Sequence, residues 1–226
     1  MKTNRELKTA ALAALKDNWA PAVLGALCFY AVECAATLPS SVADMFSTGI
    51  PPFDGMDPVL QLCLTYMGAI TSVFVLYPLT VGYTVAHNDL YVNGDSAIVR
   101  NTFRHAINGY FKNLLTYLLM YLFIALWTLL LFIPGIIKSL AYSLTPYIIK
   151  DFPELSANEA INLSMKMMKG YKGKLFMLML GFIGWMILCI FTLGVGLLWL
   201  IPYMQTTFAA FYQDVKNEYL SKETAI

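Results

Sequence analysis

Charged residues are scarce in this 226-residue chain. They account for 13% of the sequence, about half of the roughly 25% that is usual in soluble globular domains. The longest polar stretch is about the length of one helix and its flanks, so a separate soluble domain has no room to form. Apolar residues account for 58%, and the mean hydropathy is +0.62. We therefore predict an integral membrane protein whose surface is largely solvated by lipid.

Cysteine is also rare, and its spacing carries no signal of a metal site. All four cysteines lie inside apolar runs without a CxxC motif, so the sequence suggests neither a zinc site nor a disulfide framework. These residues are Cys28, Cys34, Cys63 and Cys189. We interpret them as packing residues and predict that no metal ion is bound.

Recognisable catalytic groups are lacking as well. His87 and Asp89 lie two positions apart, where helical side chains do not share a face, and His105, the other histidine, falls in a different predicted helix. No GxGxxG, P-loop, HExxH or GxSxG element occurs, so the chemistry that those motifs carry is not indicated. We predict no cofactor and no enzymatic activity.

The positive charge that is present is distributed unevenly. Fourteen of the fifteen Lys and Arg residues fall in four segments, which all lie on one side if the apolar stretches between them cross a bilayer. Residues 39–58 hold Asp44, Asp54 and Asp57 and no basic residue. The positive-inside rule then places both termini in the cytoplasm, with the basic segments near anionic headgroups. A net charge of +1 argues against nucleic-acid binding. The basic segments are residues 2–16, 100–112, 150–174 and 216–222.

Six apolar stretches are candidates for membrane spans. A bilayer crossing needs about 20 apolar residues, fewer where the bilayer thins. The fourth stretch has about 15 residues after the Pro134-Gly135 break, so it either crosses or turns back. Crossing is favoured, because the five lysines of residues 150–174 would otherwise lie outside. The stretches are about 19–38, 59–87, 113–133, 136–150, 175–192 and 195–213.

The chain shows a threefold regularity. A charged amphipathic stretch precedes each pair of apolar stretches, and each pair ends in a polar residue followed by Asp. We predict an all-α polytopic bundle of six transmembrane helices in three hairpins, each preceded by a cytoplasmic amphipathic helix, within a single domain over residues 1–226. The three degenerate repeats cover about 3–91, 95–151 and 156–215. Their closing pairs are Asn88-Asp89, Lys150-Asp151 and Gln213-Asp214.

The three amphipathic stretches have clear helix signals. Capping boxes open the first at Thr3-x-x-Glu6 and the third at Ser156-x-x-Glu159, and Asp95-Ser96 fills the same role in the second. Apolar residues spaced three or four apart form one stripe on each. We predict that these stripes lie in the headgroup boundary; the alternative is a cytoplasmic extension of the transmembrane helix. The stripes are Leu7, Ala11, Ala14 and Leu15; Val99, Phe103, Ala106, Ile107 and Tyr110; and Ile161, Met165 and Met168.

Few ionisable groups lie at membrane depth. Glu33 falls near the outer end of the first predicted span, and Lys138, the one basic residue outside the four segments, lies just past the turn at Pro134-Gly135. Such groups are functional candidates because their burial in lipid is costly. Glu33 and Lys138 are therefore a candidate intramembrane ion pair, although each can instead extend separately to the outer headgroups.

Other polar residues and prolines in the spans are weaker candidates. Hydroxyl and amide groups on the fourth and sixth stretches can join helices or line a polar path. Each proline removes a backbone donor and can kink its helix. The polar residues are Ser139, Ser143, Thr145, Gln205, Thr206 and Thr207; the candidate kinks are Pro78, Pro134, Pro146 and Pro202.

Several short motifs in the second half of the chain occur together. They are IPGIIKSLAY at 133–142, TPY at 145–147, PELSA at 153–157, FIGW at 182–185, LGVG at 193–196 and WLIPY at 199–203. As a set they resemble a bacterial family of integral membrane proteins known as domain of unknown function nine-seven-five. The resemblance implies a protein of the bacterial cytoplasmic membrane without an established substrate. The family is distantly similar to the membrane portion of glycerophosphodiester phosphodiesterases, but the soluble catalytic domain is not present in this sequence.

Three functional hypotheses follow. The first is a non-enzymatic multi-pass protein that binds or passes a small or amphiphilic ligand. The second is a structural or accessory subunit of an envelope, export or peptide-resistance system, which a stoichiometric partner would distinguish. The third is an intramembrane enzyme, which would need His, Asp, Glu, Ser or Cys residues clustered at one depth.

Overall fold

A computed structural model describes residues 1–47 and 55–223, and in this part of the chain it is helical without a strand. Asp54, named above, lies outside the described residues. A short π-helical turn, Ser72–Leu76, joins the third helix to the fourth. The α-helices are α1 Asn4–Leu15, α2 Trp19–Ser47, α3 Pro58–Thr71, α4 Tyr77–Asn93, α5 Ile98–Ile107, α6 Tyr110–Leu130, α7 Phe132–Tyr142, α8 Thr145–Asp151, α9 Ala157–Met167, α10 Lys172–Phe191 and α11 Leu197–Glu223.

Five helical segments among the described residues are long and apolar enough to cross a membrane. They correspond to the first five predicted spans, with α3 and α4 forming one segment and α7 and α8 another, and they indicate a multi-pass membrane protein. The sixth predicted span lies in α11, which is not one of the five because polar residues such as Gln205 and Gln213 lower its hydropathy. The five segments are Trp19–Ser47, Pro58–Asn93, Tyr110–Leu130, Phe132–Asp151 and Lys172–Phe191.

The predicted capping boxes of α1 and α9 are confirmed. The Thr3 side chain accepts from the Glu6 backbone N–H while the Glu6 carboxylate accepts from the Thr3 N–H, and Ser156 and Glu159 repeat the arrangement. The hydrogen bonds from Thr3 lower the pKa of the Glu6 carboxyl below its ordinary value. These exchanges satisfy backbone donors that the first turn of a helix leaves free.

The start of α5 differs from the prediction. Its N-cap is Ala97, which has no capping side chain. Asp95 instead accepts from the Ala97 N–H at 3.0 Å through one oxygen and from the Asn101 side chain at 2.8 Å through the other. These bonds, that of Asn101 foremost, lower the pKa of the Asp95 carboxyl. Asp95 therefore still anchors the start of α5, although it lies two residues before the N-cap residue Ala97.

The four candidate prolines occupy different positions. Pro134 and Pro146 lie in the first turns of α7 and α8, where a missing N–H costs little. Pro202 lies inside α11. Pro78 opens α4 directly after the π turn, so the Phe74 carbonyl four residues earlier lacks its usual donor. The Tyr110 hydroxyl donates to that carbonyl at 2.6 Å, which compensates for the missing hydrogen bond.

Three helix pairs carry most of the exposed apolar surface. These pairs are α2–α3, α6–α7 and α10–α11. Gly135 of α7 packs against Thr128 of α6, and Phe182 of α10 meets Tyr203 of α11 with ring centroids 5.2 Å apart. At the closed ends of two pairs, Leu129 is 89% exposed and Leu193 is 96% exposed. Apolar surface of this extent fits lipid contact.

The buried core lies at the opposite ends of the pairs. Residues from α1, α4, α5, α8, α9, α10 and α11 form it, and its largest fully buried side chains include Tyr83, Phe182, Phe211 and Tyr212. α4 packs most extensively against α5 and also contacts α11 and α8. The short helices between the pairs are thus part of the core.

This packing corrects the prediction that the amphipathic stripes face the headgroups. In α1, Leu7, Ala11 and Leu15 are fully buried by other helices. The Lys8 ammonium donates to the Gly181 carbonyl at 2.9 Å, so α1 lies against the middle of α10. In α9, Ile161 and Met168 of the stripe are likewise buried. An apolar stripe indicates a face that is shielded from water, by either protein or lipid. On α1 and α9 other helices cover the stripe, where we had predicted lipid headgroups.

α5 has the reverse arrangement. Its buried face is the more polar one, with Asn101, Thr102 and His105 turned into the core. Phe103 and Ile107 of the predicted stripe are 39% and 68% exposed. Of the three short helices, α5 alone therefore presents its apolar stripe outward, as the sequence analysis expected for all three.

Candidate functional site

The three polar-Asp pairs meet at one place in the structure. The Gln213 side chain donates to the Asn88 side chain at 2.8 Å, which links α11 to α4. Lys150 of α8 reaches His105 of α5, which in turn contacts Asp89 of α4. We call these pairs and their direct partners the junction cluster. It comprises Asn88, Asp89, His105, Lys150, Asp151, Tyr212, Gln213, Asp214 and Lys216.

Each aspartate of the junction cluster is held by a neighbouring element. Asp151 accepts from the Tyr212 hydroxyl at 2.7 Å and from the Lys216 ammonium at 2.6 Å. Asp214 accepts from the Lys2 backbone N–H at 2.7 Å. Hydrogen bonds to a charged group contribute about 1.5–3 kcal/mol each. The cluster therefore ties the ends of α4, α8 and α11 to one another and to the start of the chain.

His105 is the centre of a three-residue chain. Its Nε2 lies 2.6 Å from the Asp89 carboxylate and its Nδ1 lies 2.9 Å from the Lys150 ammonium. An ammonium can only donate hydrogen bonds, so with charged Lys150 the Nδ1 atom of His105 must accept. The Nε2 atom then carries the ring hydrogen, and this N–H donates to the Asp89 carboxylate. Neutral His105 thus fixes one N–H of Lys150 in a set direction, and Asp89 fixes the imidazole.

A cavity of about 420 Å³ adjoins this chain. Its lining is mixed, and Val81, Val85 and Ile149 form much of its apolar part. The Lys112 ammonium, on the first turn of α6, donates to the Pro153 carbonyl at 2.6 Å across the cavity wall. We call this space the basic cavity. Its polar lining residues are His105, Asn108, Lys112, Asn113 and Lys150.

Asn113 stiffens the wall of the basic cavity. It is 4% exposed, and its side-chain amide donates to the His105 carbonyl at 2.9 Å and, at longer range, to those of Ala106 and Asn108. These carbonyls close the end of α5, where intrahelical donors run out. The amide therefore joins the end of α5 to the start of α6 and keeps His105 in place.

A second space of about 410 Å³ is almost entirely apolar. It lies between α1, the start of α2, α10 and α11, and we call it the apolar groove. Three of the four tryptophans of the chain line it, and only Trp127 lies elsewhere. The principal lining residues are Leu12, Trp19, Trp185, Leu188, Trp199 and Leu200.

The structure does not bring the candidate ion pair together. Among the described residues no ion pair joins Glu33 to Lys138. The Lys138 ammonium lies 4.7 Å from the centroid of the Trp127 ring and 3.7 Å from the Met165 sulfur. An aromatic face attracts a cation, so the tryptophan takes the place that we expected for the glutamate.

The hydroxyl groups expected to join helices mostly bond within their own helix. Ser139, Ser143, Thr206 and Thr207 each donate to a carbonyl three or four residues earlier. The contact between helices comes from Ser164 of α9, which donates to the Ala141 carbonyl at 2.8 Å and accepts from the Leu144 N–H. Ser143 and Gln205 share the lining of a smaller cavity of about 200 Å³, and Thr145 is buried.

Sequence reasoning missed the chain from Asp89 to Lys150. It compared Asp89 with His87, which is fully buried and has its Nδ1 at 2.9 Å from the Tyr83 carbonyl. The sequence did hold a signal, which is the glycine at position 94 directly after the last residue of α4. In the structure Gly94 adopts the left-handed conformation that ends α4 and turns the chain back into α5. Such a turn predicts antiparallel packing and brings Asp89 opposite His105.

Comparison with known proteins gives one match. Residues 128–219 match the family described as "Protein of unknown function (DUF975)". This confirms the resemblance in the second half of the chain, from the end of α6 into α11. No curated protein and no solved structure matches significantly, and similarity to glycerophosphodiester phosphodiesterases stays a prediction. The family match includes Lys150 and Asp151 of the junction cluster but not Asp89, His105 or Lys112.

The described residues contain no group of three or more His, Cys, Asp or Glu side chains that could hold a metal ion. All four cysteines are free thiols, and Cys189 lines the apolar groove.

Proposed function

We propose that this chain is a non-enzymatic multi-pass protein of the bacterial cytoplasmic membrane that binds an amphiphilic ligand by its apolar tail in the apolar groove. The observation that carries the proposal is the groove itself. Its volume lies within the roughly 300–1,000 Å³ of small-molecule sites, and its lining is apolar and aromatic, as such sites require.

The ligand class follows from the surroundings of the groove. Its walls belong to helices that also carry exposed apolar residues outside the groove, such as Ile190 at 71% and Phe191 at 81%. A ligand that reaches this site from the bilayer must therefore be soluble in lipid. An acyl chain meets that condition, and tryptophan rings give it large rigid contact surfaces.

The proposal includes six spans, with α11 as the sixth. α10 and α11 run antiparallel, because Tyr171 and Lys222 meet Glu218 at one end while Cys189 meets Gly196 at the other. The junction cluster collects the returning ends of all three hairpins on one side. That side carries Lys2, Lys150 and Lys216, which supports its assignment to the cytoplasm and to anionic headgroups.

Single-cysteine labelling tests the topology. In a background without the four native cysteines, Ser47→Cys should react with an impermeant maleimide added to intact cells, whereas Asn93→Cys and Asn158→Cys should react only after the membrane is opened. All three positions are exposed in the structure, and Asn93 spares the Asp95 anchor of α5. Reaction of Asn158→Cys in intact cells would show that residues 136–150 turn back, and outside labelling of Asn93→Cys would contradict the orientation.

Tryptophan quenching tests the ligand. In a Trp127→Phe variant the remaining three tryptophans all line the groove, so a dibrominated fatty acid should quench the emission with saturation. Leu12 lines the groove and is 44% exposed without a ligand. Leu12→Gln should weaken this binding about tenfold, because a bound tail would bury the new amide without a partner, at a cost of about 1–3 kcal/mol.

Two matched variants complete the quenching experiment. Leu38→Gln makes the same change at a position that is 56% exposed and outside the groove, and it should leave the affinity unchanged. A variant that retains only Trp127 reports quenching by fatty acid dissolved in the micelle. Quenching that rises linearly, or equally in all of these proteins, would contradict a groove site.

A further inference from the structure

We infer that the basic cavity binds a phosphate group, held between the Lys112 and Lys150 ammonium groups. The inference concerns a different cavity from the apolar groove and does not depend on the function proposed for that groove. It rests on the spare donors of the two lysines, on the charge balance of the cavity, and on the start of α6.

Lys150 is positioned and still has donors to offer. One N–H is taken by His105 Nδ1 at 2.9 Å. The ammonium therefore retains two N–H groups at the cavity, since an ammonium has three donors. His105 is 5% exposed and is itself held by Asp89, so the lysine is anchored to a buried group and its orientation is set before a ligand arrives.

Lys112 supplies a second cation to the same cavity. One of its N–H groups is taken by the Pro153 carbonyl at 2.6 Å, which leaves two for a ligand. Two lysines that are both tethered to the cavity wall lose less side-chain freedom on binding than free ones would. Two cations that line one cavity match the several oxygens of one phosphate.

The charge balance of the basic cavity favours an anion. Asp89 is the acidic residue of the hydrogen-bonded chain from Asp89 to Lys150, and its carboxylate accepts a hydrogen bond from His105. Glu154 borders a neighbouring depression that also includes Lys112, but no ion pair joins the two among the described residues. Lys112 thus keeps its full charge for a ligand, and a net positive charge remains.

The start of α6 adds to this field. Its N-cap is Gly109, which lines the cavity and has no side chain to cap the helix. The backbone N–H groups of Tyr110, Phe111 and Lys112 therefore have no intrahelical acceptor. A 21-residue helix directs the positive end of its dipole to the same space. These donors support the two lysines, which carry the inference.

The size of the cavity limits the ligand further. About 420 Å³ is more than a bare phosphate needs, so there is room for a group esterified to it. The apolar lining residues Val81, Val85 and Ile149 suit the carbon part of such a group. The shared chemistry is that of a phosphate ester, and its source is either a lipid headgroup or a soluble phosphate.

The experiment measures phosphate binding to the purified full chain in a neutral maltoside detergent. One arm titrates inorganic phosphate at constant ionic strength, followed by phosphorus NMR. The other uses nanodiscs of phosphatidylcholine with or without phosphatidic acid, followed by native mass spectrometry. Binding in the first arm identifies a soluble source; binding confined to phosphatidic acid identifies a headgroup. Either one supports the site, provided that it depends on the two lysines.

The variants make this dependence explicit. Lys112→Gln and Lys150→Gln should each weaken binding at least about tenfold, as expected for the loss of one charge-assisted contact. Lys150→Arg keeps the charge and should retain most of the affinity. Lys16→Gln removes an equal charge at an exposed residue outside the cavity and should change nothing.

Two results would overturn the inference. One is binding that Lys16→Gln weakens as much as the cavity variants do, which would show a general charge effect. The other is the absence of lysine-dependent binding in both arms while thermal unfolding shows the variants to be folded. Since Lys112 and Lys150 lie on different helices, either variant alone decides the question if the other fails to fold.

Discussion

Adding one methyl group at Gly82 is expected to destabilise the protein by about 3 kcal/mol, the upper part of the range for overpacking a core. A Cβ atom there would lie 2.0 Å from the Thr102 carbonyl oxygen and 2.9 Å from the Ala106 nitrogen. Both are backbone atoms of α5, so no side chain can turn away. Gly82→Ala must therefore push α5 off α4, and with it His105 and Asn113.

Gly184→Ala is the matched control for this experiment. Gly184 also lies inside a helix, and a Cβ there meets no heavy atom within 4 Å. Alanine should leave stability unchanged or raise it by up to about 1 kcal/mol, because it favours a helix over glycine. Equilibrium unfolding in mixed micelles measures both variants. Equal stability of the two would mean that α4 and α5 are not in backbone contact.

Tyr212→Ala is expected to cost about 3–5 kcal/mol, as for other large buried aromatic side chains. Tyr212 is fully buried, and its ring stacks on that of Tyr147 with centroids 4.6 Å apart and an interplanar angle of 12°. Its hydroxyl donates to Asp151 at 2.7 Å. The residue therefore combines ring packing with a bond to a charged group.

A second substitution separates these two contributions. Tyr212→Phe keeps the ring and removes the hydroxyl, and it should cost about 1.5–3 kcal/mol or less, since Lys216 still contacts Asp151 at 2.6 Å. Tyr66→Ala makes the larger change at a position that is 61% exposed and should cost under about 1 kcal/mol. If Tyr212→Ala and Tyr66→Ala were equally stable in the same unfolding assay, α11 would not pack against α8 as described.

Polarity and spacing determined the coarse architecture. Apolar runs of about 20 residues, separated by basic segments, predicted the long helices, because a membrane admits few other structures. Thr3, Glu6, Ser156 and Glu159 predicted the starts of α1 and α9, since capping is a local exchange within four residues. The polar-Asp pairs were recognised as equivalent positions, although their meeting point was not predicted.

Side-chain partners were beyond local reasoning. Glu33 and Lys138 were a candidate pair because both are ionisable and lie at similar predicted depth, with separate extension to the headgroups as the alternative; in the structure Lys138 lies over Trp127. Hydropathy gives depth along a helix but not the rotation of that helix toward a neighbour. For the same reason the stripes of α1 and α9 were visible in the sequence, while their cover by protein was not.

The sequence by itself thus determined which segments are apolar and where several helices begin, because these properties depend on composition and on contacts between near neighbours; the side of the membrane that the basic residues face stays a prediction. Only the tertiary structure decided that Asp89, His105 and Lys150 form one chain and that Leu12 and three tryptophans enclose a groove. Asp89 and His105 flank the turn at Gly94, but Lys150 and the groove residues come from helices far apart in sequence. Their proximity follows from how the helices pack, which no local pattern encodes.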